Sequence, residues 1–181
     1  MLDFSKNYFE LFGLPAVFEL DGAELARRYR ELQRAVHPDR YTNATEQEKR
    51  LSMQGASRIN DALETLKDPL SRARYLLELK GVDLEQGGGN IADSGFLMEQ
   101  MELREELAQA RHQDDPHAAV AALMAHIGCH IQALLKAMGE RFEAGAPGDL
   151  EQAKEIVNKL QFLYKLRAQA EELEAELDEE L

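Results

Sequence analysis

Apolar residues in this chain return at the spacing of a helix, and that constrains its fold more than any other feature. Leu25, Tyr29, Leu32 and Val36 stand at i, i+4, i+7 and i+11, one face of a helix with 3.6 residues per turn. Leu51, Gly55, Ile59 and Leu63 repeat the pattern, with Ala62 and Leu66 beside them. The alternation of β-branched residues that marks a half-buried strand is missing. The expected fold class is all-α.

Punctuation residues divide the helices. A short aromatic helix is expected over Asn7 to Phe12, closed by Gly13 and Pro15. Asp21 reads as the N-cap of a helix reaching Val36, and Thr45 with Glu48 as a capping box opening the next. Asp68-Pro69 caps a fourth helix that runs to about Leu79, with Gly81 at its end. Gly87-Gly88-Gly89 cannot hold a helix cheaply, so 81–93 reads as a linker. Three longer helices follow, at about 94–112, 116–143 and 149–179. They are separated by Asp114-Asp115-Pro116 and Gly145-Ala146-Pro147-Gly148. Short connections favour antiparallel neighbours, hence a three-helix bundle. The expected domains are 1–80, a helical hairpin with flanking short helices, and 94–181, the bundle.

Charge separates the two parts. Residues 1–80 carry 13 acidic and 13 basic side chains; residues 81–181 carry 21 and 8, which accounts for the whole net charge of −13. Phosphate backbones would be repelled by the second part, so nucleic acid is not an expected partner. Apolar stretches look too short to span a bilayer, and Met1-Leu2-Asp3-Phe4 lacks the n- and h-regions of a signal peptide. The single cysteine, Cys129, cannot form an internal disulfide. A reducing cytoplasm is the expected compartment. No extended heptad seam demands a dimer, so a monomer is expected.

Between the first two long helices stands His37-Pro38-Asp39. Pro38 fixes its own φ and pushes His37 out of the helical region, which ends the helix and presents both side chains. Arg27, Arg30 and Arg34 fall opposite the Leu25–Val36 stripe and must face solvent, with Arg28 beside them. A charged helix face is usually only a solvated face, and His37 and Asp39 could be ordinary turn residues. An enzyme using His37 is a further alternative, but no nucleophile, glycine-rich phosphate loop or second acid–base partner accompanies it. Neither a catalytic residue nor a cofactor is expected.

Context carries the motif further. Tyr8-Phe9-Glu10-Leu11-Phe12-Gly13-Leu14, Tyr29-Arg30-Glu31-Leu32, His37-Pro38-Asp39-Arg40 and Ile59-Asn60-Asp61-Ala62 together resemble the J-domain pattern over residues 7–78. That resemblance implies that the His-Pro-Asp motif and the basic face engage an acidic surface of a 70-kDa heat-shock ATPase and speed its ATP hydrolysis. No glycine/phenylalanine-rich linker and no Cys-x-x-Cys repeats follow, unlike a general-purpose DnaJ-type protein. Instead, Phe96-Leu97-Met98-Glu99-Gln100-Met101-Glu102-Leu103-Arg104-Glu105-Glu106-Leu107 and Lys159-Leu160-Gln161-Phe162-Leu163-Tyr164-Lys165-Leu166 resemble the HscB family of iron–sulfur cluster assembly. The 113–148 stretch is the least specific part of the match.

Helical geometry supplies a second, independent pointer. Phe96, Leu103, Leu107 and Ala110 make one core stripe, with Leu97, Met98 and Met101 off it, beside Glu102 and Glu105. On the last helix Ile156, Leu160, Leu163 and Tyr164 form the stripe, and Phe162 falls nearly opposite. Large apolar groups edged by acids suggest a binding site, although a wide apolar face packed against two helices would read the same. The family resemblance implies that Leu97, Met98, Met101, Glu102, Glu105 and Phe162 bind the scaffold protein IscU, and that the ATPase is HscA. A J-protein serving a different client is the alternative. His126, Cys129 and His130 share an outer face at i, i+3 and i+4 and could hold a metal. One helix supplying all the ligands is a weak signal, and no metal is expected.

Overall fold

The computed structural model describes residues 3, 5–36, 45–84 and 93–179. Among them the elements are α1 (Tyr8–Phe12), α2 (Gly22–Ala35), α3 (Glu46–Lys67), α4 (Pro69–Leu79), α5 (Ser94–Ala110), α6 (Pro116–Ala144) and α7 (Pro147–Glu179), with no strand. The chain forms two compact units, Met1–Lys80 and Gly81–Leu181.

In the first unit, side chains define where each helix begins. Asn7 accepts from Glu10 N at 3.0 Å while the Glu10 carboxylate accepts from Asn7 N at 2.9 Å, a reciprocal box that satisfies two otherwise orphaned donors of α1. Gly13 closes this helix at φ 63°, a left-handed conformation that costs glycine little. Thr45 and Glu48 form the same box on α3. Asp68 serves twice, ending α3 and accepting from Ser71 N at 2.7 Å to open α4 behind Pro69. The buried faces of these helices meet in one core, built on Phe9, Phe12, Leu25, Ile59, Ala62, Leu66, Leu76 and Leu77.

Polar bonds fix the register of the α2–α3 hairpin. The Tyr29 hydroxyl donates to Asn60 Oδ1 at 3.1 Å, and Gln33 Nε2 donates to the same oxygen at 2.8 Å. At the far end Ser52 Oγ donates to the Val36 carbonyl at 2.7 Å, one residue before the His37 segment. The buried Arg72 donates to the Leu66 carbonyl at 2.6 Å and lies over the Phe18 ring, closing the base of the hairpin.

α4 also caps α1. Tyr75 stacks on Tyr8 with ring centroids 4.6 Å apart, and its hydroxyl accepts from Tyr8 N at 3.0 Å. That N–H has no partner within the helix. Tyr75→Phe keeps the stack and removes the acceptor, so it should cost about 1 kcal/mol, read as a lowered denaturation midpoint with unchanged slope.

The second unit is an up-down-up bundle, with α6 antiparallel to α5 and α7. Its core joins Phe96, Leu103 and Ala110 of α5, Val120, Leu123, Ile127, Ile131 and Met138 of α6, and Ala153 to Ala170 of α7. Ion pairs mark the directions. Asp93 meets Lys159 at 2.6 Å and Arg111 meets Glu176, so α5 and α7 run in parallel. His117 meets Asp178 at 3.2 Å and Arg141 meets Asp149 at 3.1 Å, so α6 runs against α7. α7 begins at Pro147, two residues before the expected start, because proline suits the first helical position. Gly145, at φ 66°, alone ends α6.

α6 corrects the expectation that every apolar stretch is too short for a membrane. By length and composition this helix could cross one. Its Val120, Leu123, Ile127, Ile131 and Met138 are buried in the bundle core.

Candidate partner-binding surfaces

His37, Pro38 and Asp39 lie outside the described residues, and so does the glycine run at 87–89. The helix leading to the motif is described, and it carries Arg27, Arg30 and Arg34 on its exposed side, away from buried Leu25 and Val36. The three arginines are not equivalent. Arg27 donates to both oxygens of Glu24, at 2.8 and 2.6 Å, and to Glu31 at 2.5 Å. Arg28 joins Glu24 at 2.9 Å. The bonds from Arg27, then those from Arg28, hold the Glu24 carboxyl down at about 2. The same pairing raises the Arg27 guanidinium above its ordinary value. Arg30 has no carboxylate within ion-pair distance among the described residues. Glu24 and Glu31 were legible in the sequence as i−3 and i+4 neighbours of Arg27, a signal the charge-face reading passed over.

In the bundle, α5 turns three large apolar side chains to water. Leu97, Met98 and Met101 are 46, 65 and 71% exposed, whereas Phe96 and Leu103 on the same helix are buried. Glu102 and Glu105 are exposed beside them. Exposed apolar patches rimmed by polar groups are common where proteins bind partners. Asp93 sets the helix that carries it, accepting from Gly95 and Phe96 N and pairing with Lys159.

Phe162 differs from expectation. It is only half-exposed, because α5 leans over this side of α7. Its ring stands edge-on to Phe96, centroids 5.8 Å apart, and Arg104 covers it at 5.1 Å. It therefore links the buried stripe of α5 to its surface.

His126 and His130 pack edge to face, 4.7 Å apart, against α5 carboxylates. His130 Nδ1 meets Glu99, and His126 Nδ1 lies 3.9 Å from Glu106. Cys129 is exposed. Among the described residues no group of three or more such side chains is placed to hold a metal.

Comparison with known proteins matches both units. Residues 7–75 fit the DnaJ domain model, and residues 92–171 fit the model described as the HSCB C-terminal oligomerisation domain. A curated relative from Shewanella loihica, "Co-chaperone protein HscB homolog", is 46% identical over 168 residues, covering 93% of this chain and 97% of its own. The solved structure of "Chaperone HscB from Vibrio cholerae" is 41% identical, with a TM-score of 0.84, over 95% of this chain and 99% of that one. The human co-chaperone HscB structure is 32% identical, also with a TM-score of 0.84, over 93% of this chain and 82% of its own. A J-domain co-chaperone acts with a 70-kDa heat-shock partner and is not itself an enzyme. With its J-domain hairpin and helical C-terminal bundle, the chain belongs to the HscB co-chaperone family.

Proposed function

We propose that this chain is an adaptor of iron–sulfur cluster assembly. It binds an IscU-type scaffold and delivers it to an HscA-type heat-shock ATPase, whose hydrolysis it stimulates. The J-domain, residues 1–80, addresses the ATPase through His37, Pro38 and Asp39 and the arginines 27, 30 and 34. The bundle, residues 94–181, holds the scaffold on Leu97, Met98, Met101, Glu102, Glu105 and Phe162, with 81–93 as the linker. Hydrolysis chemistry belongs to the ATPase. The working species is a cytoplasmic monomer that engages neither nucleic acid nor membrane; sedimentation of the chain alone would expose an oligomer.

The observation that carries this reading is the exposed trio Leu97, Met98 and Met101 on a helix that buries Phe96 and Leu103. Their hydration is wasted unless a partner covers them, and central apolar anchors carry most interface energy. Calorimetric titration with an IscU-type scaffold tests the assignment. Saturable binding is expected; no binding would leave a J-protein with another client.

The basic face acts through complementary charge and mainly on the rate of association. Stimulation of the ATPase should weaken as salt rises, because screening shortens to about 8 Å at physiological ionic strength. Arg30→Glu or Arg34→Glu should slow association more than the alanine variants. An association rate independent of salt would count against this mechanism.

A further inference from the structure

On α2, Glu24, Arg27, Arg28 and Glu31 form a group of four charges that cancel. All three nitrogens of the Arg27 guanidinium are engaged within the helix: Nε and Nη2 by the fork of Glu24, Nη1 by Glu31. Arg28 bonds the same Glu24 through Nε, and its Nη1 stands 4.0 Å from Glu31. Arg30 lies nearer the His37 segment and is exposed without such a carboxylate. Arg27 is thus neutralised within the helix, whereas Arg30 on the same face is not.

We propose that Glu24 and Glu31 are specificity-determining residues: by clamping Arg27 they make an acidic partner surface register first on Arg30, with Arg27 joining only once its own carboxylates are displaced. The inference rests on the J-domain reading above. Its physical basis is competition. A partner carboxylate that reaches Arg27 must displace a two-oxygen fork, which matches the planar guanidinium. A carboxylate that reaches Arg30 displaces only water. Exposed pairs are individually weak, so the clamp biases the encounter and does not lock it. Because charge at an interface rim acts on the encounter step, the effect belongs to the association rate.

The test measures association of the full chain with an HscA-type ATPase, at low and high salt, for Glu24→Gln/Glu31→Gln against the unaltered protein. Glutamine keeps the shape of the side chain, and circular dichroism checks that helicity is retained. The double variant should associate about two- to fivefold faster at low salt, with a steeper salt dependence. Adding Arg27→Gln should cancel the gain. Arg30→Ala should slow the double variant less than it slows the unaltered chain, because Arg27 then substitutes for it. Glu64→Gln/Glu78→Gln makes the same charge change away from this network. An equal gain in that control would mean that net charge alone is responsible and would overturn the clamp. A slower double variant would mean that the glutamates themselves meet the partner, with the same consequence. Should the unaltered chain fail to stimulate the ATPase, the J-domain reading falls and the clamp with it. Normal stimulation with an unresponsive double variant removes the clamp alone.

Discussion

Replacing His37 by Gln, or Asp39 by Asn, should abolish stimulation of the heat-shock ATPase while the protein melts almost where it did before; this is the result the adaptor reading requires. Val36 is buried and its carbonyl is held by Ser52, while Thr45 is fixed by the capping box of α3. The hairpin core is built on Leu25, Ile59, Ala62 and Leu66, all outside the motif. Substitutions of exposed loop residues usually move stability by no more than about 0.5 kcal/mol. A complete loss of stimulation is a far larger effect. It is measured by steady-state hydrolysis with saturating variant, beside thermal melts of the same preparations. Retained stimulation would remove the motif from the mechanism. A collapse in melting temperature would give it a structural role instead.

The second large effect concerns the scaffold surface. Leu97, Met98 and Met101, truncated together to alanine, should leave melting nearly unchanged and reduce scaffold binding sharply. Their exposure is the reason for the first outcome: no cavity forms where water already stood. Leu103→Ala is the internal contrast. That side chain is 1% exposed, and removing it should cost about 2–5 kcal/mol through lost burial and the cavity left behind. Phe162→Ala belongs between these. It loses the ring pair with Phe96, about 0.5–1.5 kcal/mol beyond area burial, so a fall in its scaffold affinity must be read beside its melt. Glu102 and Glu105 should affect the salt dependence of binding more than packing. A large drop in melting for the triple variant would mean that these residues are core. Unchanged melting with unchanged scaffold binding would sink the surface and favour another client.

Much of this was legible in the sequence, and the reasons are local. Asp21, Thr45 and Asp68 each carry a side-chain oxygen one residue before a helical stripe, and each caps a helix in the structure. Leu97 and Met101 were placed off the α5 core stripe by helical geometry alone, and they are exposed. Phe162 was harder, because a helical wheel gives direction but not how far a neighbouring helix leans. Its contact with Phe96 joins residues 66 positions apart. The clamp on Arg27 was missed for a different reason. Summing a helix face by its cations ignores the carboxylates at i−3 and i+4, which decide whether a cation is available. The start of α7 was misplaced because Pro147 read as a separator, when proline also opens helices.

The adaptor claim joins two activities in one molecule, so the most direct test measures them together. Steady-state ATP hydrolysis by an HscA-type ATPase is followed with the unaltered chain, with and without an IscU-type scaffold. The Leu97/Met98/Met101 triple alanine variant and His37→Gln are run beside it. Stimulation by the chain alone is expected, and greater stimulation when scaffold is added. The triple variant should keep the first and lose the increment, and His37→Gln should lose both. Equal hydrolysis with and without scaffold, or an increment that survives the triple variant, would contradict the adaptor claim.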